Sequence, residues 1–368
     1  MELALLPNEI FCYLRNFLIC YLLAKLFHIP CSWTVVSDSD QPHYNVCTSC
    51  DEEGCYREED LERLPVAKFP NLDQNGKARI VAWDLGEEIS THHETIIDKS
   101  SPRNVVRDRW IKRGGKYSGI LRIRSTFRTP DGGTISFWGT AFAINYFHAV
   151  TSAHLLWHPK LGPAIKAALY LDEREYRKDR RDRARACIAV VCHATAIKSL
   201  MLQEQRAETD FCIVSLAERF ELGIRPLTLR NRPSPSCREN GMIIGFPHDM
   251  PFESPSHQLI DSQGIVSYHE NNGVLSIEHM INTTKGNSGS PVMVGKLVVG
   301  VHHGSKKNPK RNAAAAINRN GNDVEKFSEV LKYMTNQSCQ NQKLPEGIGE
   351  VGKLTGLTYP DQEIWCFA

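Results

Sequence analysis

Ser288 sits in NTTKGNSGSPV, residues 282–292, where Gly286, Asn287 and Gly289 surround one hydroxyl before the chain returns to Pro-Val. A turn that only reverses direction needs one or two such breakers. This one reads as backbone arranged to expose a hydroxyl. A serine hydroxyl is a poor nucleophile until a base takes its proton and a third group orients the base. His154 in FHAVTSAHLLW and Asp210 in ETDFCIVSL are the candidates for those two roles. His154 follows an apolar run through small residues, which let the backbone turn and present an imidazole. Asp210 stands directly before a β run, at a strand entrance. The N–H groups of Gly286 and Ser288 could both point at the oxygen that gains negative charge when Ser288 attacks a carbonyl, as an oxyanion hole does. The chemistry of such a set is acyl transfer to water through a covalent intermediate, and it needs no cofactor and no metal. Taken singly, each residue has a plainer reading: a turn serine, a core histidine, a cap. In this order, on a β background, the set is far more specific.

Such groups need a rigid frame. From about Tyr117 the chain supplies one. GILRIRSTF alternates apolar and charged residues, the sign of a half-buried strand. PDGG is a turn. TISFWGTAFAI, HAVTSAH, AALYLD, CIAVVCHATAIKSL, FCIVSL, GMIIGF, GIVSY, VLSIEHM, SPVMV and KLVVGVHHG continue as short β segments parted by Gly, Pro, Asn and Asp. That pattern predicts an all-β barrel or sandwich. NDVEKFSEVLKYM is the exception: Val324, Phe327, Val330, Leu331 and Met334 recur at helical spacing, and Asn322 or Asp323 could cap the start.

Composition sets the bounds. A chain of 368 residues, 41% hydrophobic and 23% charged, has an ordinary globular balance and room for one large or two medium domains. The net charge of +2 gives no electrostatic case for nucleic-acid binding. The basic run at 173–186, EREYRKDRRDRARA, is interleaved with acids and reads as a solvated insertion. The twelve cysteines are dispersed. His43, Cys47, Cys50 and Cys55 form the densest group; a zinc knuckle is conceivable there, but a lone CxxC with one extra Cys is a weak signal for it. A pro-segment disulfide or free thiols fit it better. Phe17 to Ala24 is an apolar run behind Arg15. It is too short to span a bilayer and fits a targeting segment, with a buried or membrane-surface helix as the alternative.

TSAH and GNSGSP resemble the trypsin-like (chymotrypsin-fold) serine peptidases, and more closely the glutamyl endopeptidases, bacterial enzymes that cleave after glutamate. GTAFAI before the histidine strand, IIGFP, TTKGNSGSPV and GVHHG carry the likeness, over about residues 95–335. The order His, Asp, Ser is that of this fold. The resemblance implies two six-stranded Greek-key β-barrels and a C-terminal α-helix, with His154 and Asp210 from the first barrel and Ser288 from the second. It sets barrel one at about 95–220, barrel two at about 221–320 and the helix at about 322–335. A possible signal segment (1–30) and an irregular pro-segment-like region (31–94) precede them, and a tail (336–368) follows.

The resemblance also implies a primary pocket holding His302 and Thr283, donors for a glutamate carboxylate entering a desolvated site. His303 is adjacent and could be the inward residue, since a one-residue slip exchanges the faces of a strand. Two departures stand out. Asn287 replaces the Asp that pairs with a new N-terminus in trypsin, and Leu155 replaces a Cys that many relatives carry. THHETIIDKSSPR resembles the start of mature glutamyl endopeptidases, so cleavage near Glu94–Thr95 is expected. A glycan on the sequon at Asn282 would crowd the serine loop; Asn336 is the better acceptor. The implied protein is a secreted or secretory-pathway monomer acting on polypeptide substrates, with no nucleic-acid partner and no stable membrane span. Two alternatives stay open: a protease-fold scaffold that no longer cuts, and an active serine protease of different specificity.

Overall fold

The computed structural model describes residues 79–85, 103–172, 184–202, 207–220, 223–230, 237–248, 258–306, 311–335, 350–354 and 364–367. The targeting segment, the His43–Cys55 group, the Glu94–Thr95 bond, residues 173–183 of the charged insertion and Asn336 lie outside them.

The strands longer than two residues are β1 (Ile80–Asp84), β2 (Arg103–Val105), β3 (Ile120–Arg128), β4 (Thr134–Ala143), β5 (His148–Thr151), β6 (Lys166–Tyr170), β7 (Arg185–His193) and β8 (Cys212–Leu216). They continue as β9 (Arg238–Gly245), β10 (Ile260–Asn271), β11 (Val274–His279), β12 (Pro291–Val294), β13 (Leu297–Lys306) and β14 (Arg311–Ala316), then β15 (Glu350–Leu354) and β16 (Ile364–Phe367). Antiparallel pairing in the order β3-β4-β5-β8-β7-β6 closes on itself through β6–β3. The order β9-β10-β11-β14-β13-β12 closes in the same way. The fold is therefore all-β, two six-stranded Greek-key barrels with one connectivity used twice, the chymotrypsin-like fold. Closure removes the exposed edges that open sheets must otherwise protect.

Alternation does the sorting. On β3, Leu121, Ile123 and Phe127 enter the first barrel's interior, while Arg122 lies 3.6 Å from the ring centre of Trp138 on the outer face. The second interior is built on Ile243, Val266, Leu275, Ile277, Val292 and Val299. A third apolar cluster joins the barrels: Phe142 and Ile213 from the first meet Ile244, Phe246 and Val301 from the second. The helix Val324–Thr335 (α2) caps this seam with Phe327, Val330, Leu331 and Met334, the positions its periodicity named. Asp323 accepts from the Lys326 N–H at 3.1 Å and so caps its start.

Three elements differ from the sequence reading. CIAVVCHATAIKSL, read as one strand, ends its β pairing at His193 and continues as a helix, Ala194–Met201 (α1). His193 caps that helix by accepting from the Thr195 N–H, and the alanines that follow favour helix. IVAWD, in the region read as an irregular pro-segment, is strand β1, with Val81, Ala82 and Trp83 fully buried. The stretch read as a polar tail contains β16, whose Ile364 and Phe367 are fully buried. β1 pairs with β7 on one side and β16 on the other, so the first barrel's sheet runs on beyond the barrel. Both segments were missed because they are short apolar runs among polar residues, and a single strand is legible only with its partner.

Candidate active site

Strand register brings the candidate base and its orienting group together. Thr151, the last residue of β5, is directly opposite Cys212, the first of β8. Past that pair, β5 leads through Ser152 into a single 3-10 turn, Ala153–Leu155, while Asp210 stands two residues before β8. The Asp210 carboxylate accepts from the His154 backbone N–H at 2.9 Å and lies 2.6 Å from His154 Nδ1. Each carboxylate oxygen thus holds one atom of the same residue, which fixes the ring. His154 Nε2 is 2.7 Å from Ser288 Oγ. Burial alone would raise the Asp210 carboxyl, but the charge and hydrogen bonds of His154, with His303 behind them, hold it below the usual carboxylate range.

Ser288 is delivered by a loop of tight turns. The Asn287 N–H donates to Thr284 C=O at 3.0 Å, and the Ser290 N–H to Asn287 C=O at 2.9 Å. Gly286 has φ +95° and Gly289 φ +82°, the left-handed region that glycine tolerates. A Cβ at Gly286 would strike the Phe246 carbonyl, and one at Gly289 the Thr140 carbonyl. The Lys285 carbonyl accepts from the His248 N–H at 2.7 Å. A trans peptide points its N–H opposite to its carbonyl, so the Gly286 N–H turns away from His248. Among the described residues, neither the Gly286 nor the Ser288 N–H has an acceptor.

Thr283 and His302 are both essentially buried, while His303 is only half-buried, so the inward histidine of β13 is His302. His302 pairs with Ala314, which belongs to the same interior, and the strand bulges just after it, at His303. His302 is tied to the serine loop through its backbone. Its N–H donates to Ser290 C=O at 2.9 Å, and its carbonyl accepts from the Gly289 N–H at 2.7 Å and from Ser152 Oγ at 2.8 Å.

Three residues near these groups escaped the sequence reading. His279 places Nε2 3.1 Å from His302 Nδ1. Burial, then the neighbouring His302 and His303, push His279 well below the ordinary histidine value, so it is neutral. Its signal was present: in VLSIEH it occupies the inward register of Leu275 and Ile277, where an apolar residue belongs. Asn312, on the matching face of β14, donates to Ile281 C=O at 2.7 Å. Thr140 Oγ1 donates to Gly286 C=O at 2.8 Å and left no trace in the pattern of β4. Among the described residues no group of three His, Cys, Asp or Glu is arranged to hold a metal, and no helix is long and apolar enough to cross a membrane. Among the described residues Cys187, Cys192, Cys212, Cys237 and Cys366 form no disulfide with one another.

Residues 139–301 match the family of trypsin-like peptidase domains. The glutamyl endopeptidase of Staphylococcus aureus strain MW2 is 32% identical over 98 residues, which is 26% of this chain and 28% of that protein. The same enzyme from strain N315 is 32% identical over 98 residues, 26% of each. The aligned stretch thus spans little more than a quarter of the curated relatives' length. Among solved structures, a Glu endopeptidase in complex with MPD has a TM-score of 0.48 at 18% identity, covering 65% of this chain and 99% of that one. The thermostable serine protease AL20 from an extremophilic microorganism has a TM-score of 0.40 at 16% identity, covering 54% and 90%.

Proposed function

We propose that this chain, which carries a trypsin-like peptidase domain, is a serine endopeptidase that prefers glutamate before the scissile bond. The observation that carries the reading is the unbroken hydrogen-bonded line from Asp210 through His154 to Ser288 Oγ, beside two amides with no acceptor among the described residues.

In this reading His154 Nε2 takes the Ser288 proton as Oγ attacks the substrate carbonyl. The imidazolium that forms is stabilised by the Asp210 carboxylate, which stays ionised because its proton affinity is held down. The carbonyl oxygen gains its negative charge within reach of the Gly286 and Ser288 N–H groups, each worth about 10²–10³ in rate. His154 then protonates the departing amine. In the second half-reaction it activates water against the acyl-enzyme, and Ser288 is restored.

The glutamate preference rests on His302 and Thr283 as donors to the carboxylate. His279 lies behind His302 and restrains its ring. The distant glutamyl endopeptidase relatives support the same preference, over 26% of the chain.

The test is a set of peptides identical except for Glu, Asp, Lys, Phe or Ala before one bond, offered to the protein and to Ser288→Ala. Cleavage after Glu that vanishes in Ser288→Ala is expected. Cleavage after another residue would discard the His302–Thr283 pocket and keep the triad. No cleavage by folded protein, with no labelling by a fluorophosphonate, would overturn the enzymatic reading.

A further inference from the structure

Asn287 carries no charge, so this residue cannot hold the loop around Ser288 through an ion pair. We propose that the Thr140 hydroxyl is a positioning group that keeps the Gly286 N–H presented for transition-state stabilisation, with no ion pair at Asn287. The inference rests on the endopeptidase reading and adds a residue to it.

Thr140 is fully buried on β4 of barrel one, whereas the loop belongs to barrel two. Its backbone is already committed: the N–H donates to Ser288 C=O at 2.7 Å, and the carbonyl accepts from Thr151 Oγ1 at 2.7 Å. Any residue but proline could keep those two bonds at position 140. The hydroxyl is different. It donates to Gly286 C=O at 2.8 Å and accepts from the Phe246 N–H at 3.0 Å.

Gly286 has no side chain to resist rotation, so outside contacts must fix the peptides on either side of it. The peptide that follows is fixed by Thr140 Oγ1 on Gly286 C=O. The peptide that precedes is fixed by the His248 N–H on Lys285 C=O. His248 is two residues from Phe246, whose own N–H is anchored on Thr140 Oγ1. One hydroxyl therefore secures one flank of Gly286 directly and the other through the segment 246–248. Without it, a buried carbonyl and a buried N–H lose their partners at once. Such groups are rarely left unpaired, and rotation of the loop is the route by which they would find new partners.

Thr140→Val keeps the shape of the side chain and removes the hydroxyl; Thr140→Ser keeps the hydroxyl. Both would be compared with the unaltered protein and Ser288→Ala. The readouts are kcat and KM on a Glu peptide, the affinity of a peptide aldehyde ending in Glu, and the fraction of sites labelled by a fluorophosphonate. Thr140→Val is expected to lower kcat per labelled site about 10- to 100-fold. KM should change less than about threefold, and aldehyde affinity should weaken in step with kcat. Thr140→Ser should recover most of the loss. An unchanged kcat per labelled site and unchanged aldehyde affinity, with only a lower melting temperature, would overturn the inference and leave Thr140 a packing residue.

A crystal structure of Thr140→Val decides the matter without turnover. The Lys285 carbonyl is expected to have left the His248 N–H; an unmoved Lys285–Gly286 peptide would overturn the inference. If the unaltered protein neither cleaves nor labels, the endopeptidase reading falls, and the peptide's orientation in the variant still tests Thr140.

Discussion

The two barrels share one strand order and are filled in opposite ways. Barrel one has an apolar interior of large side chains, Trp83, Trp157, Phe127 and Leu121 among them, with the thiols of Cys187, Cys192 and Cys212 kept protonated by burial. His154 and Asp210 stand at its strand ends, where register alone sets their separation. Barrel two has a smaller apolar set and admits His279, His302 and Asn312 as fully buried groups. The bonds they make, His279 Nε2 with His302 Nδ1 and Asn312 Nδ2 to Ile281 C=O, fix their directions. The first barrel is thus a rigid jig for two side chains. The second gives up apolar packing for an oriented polar interior, which in the proposed function recognises substrate.

The largest effect expected from breaking this contrast is at the jig's own output. Asp210→Asn should lower kcat about 10⁴-fold by losing the imidazole's orientation and charge partner, with the melting temperature little altered. Steady-state kinetics beside thermal denaturation checks it. Next, Trp83→Ala should remove about 3–5 kcal/mol of stability while leaving kcat of the folded protein unchanged, as read by denaturant titration.

His279→Leu should do the reverse. It should lower kcat/KM for a Glu peptide about tenfold, spare an Ala peptide, and destabilise less than Trp83→Ala. Equal destabilisation with unchanged selectivity would make the polar interior of barrel two mere filling.

The smallest effect is one of pH. Burial, helped by Lys332 and Lys160, lowers His148 and His158 to about 4, and burial also lowers His193 and His279. Below the ordinary histidine value of about 6.5, the unfolded chain takes up protons that the folded chain refuses. Stability should therefore be complete above that pH and fall between about 6.5 and 4, by on the order of 1–2 kcal/mol for His148 or His158 at pH 5. Replacing His158 with Gln should flatten the fall.

Legibility followed the range of the interactions. The barrel strands and the helix Val324–Thr335 were readable because alternation and helical spacing are local. The residues that meet at the site were readable as types: a hydroxyl among glycines, a histidine after small residues, an acid at a strand entrance. The long-range bonds were not. Thr140 looks like any β-favouring residue on β4 until the loop 146 residues away is folded against it. His279 broke the apolar register of β11, a local signal, but its meaning depended on His302 across the barrel. IVAWD and IWCF each lacked the partner that makes them a strand.

That last pair has a consequence for the wiring of the chain. The Arg79 N–H donates to Phe367 C=O at 2.8 Å, so two points nearly three hundred residues apart in sequence are neighbours. Between them the polypeptide is almost a ring, interrupted by a gap that a few glycines could bridge. Joining 367 to 79 and reopening the chain at the exposed Asp131–Gly132 turn should give a permuted protein with both barrels and the serine loop intact. By the same geometry, a nick in the segment between β1 and β2 would leave two polypeptides bound through a shared sheet, and the shorter one would remain part of the folded protein.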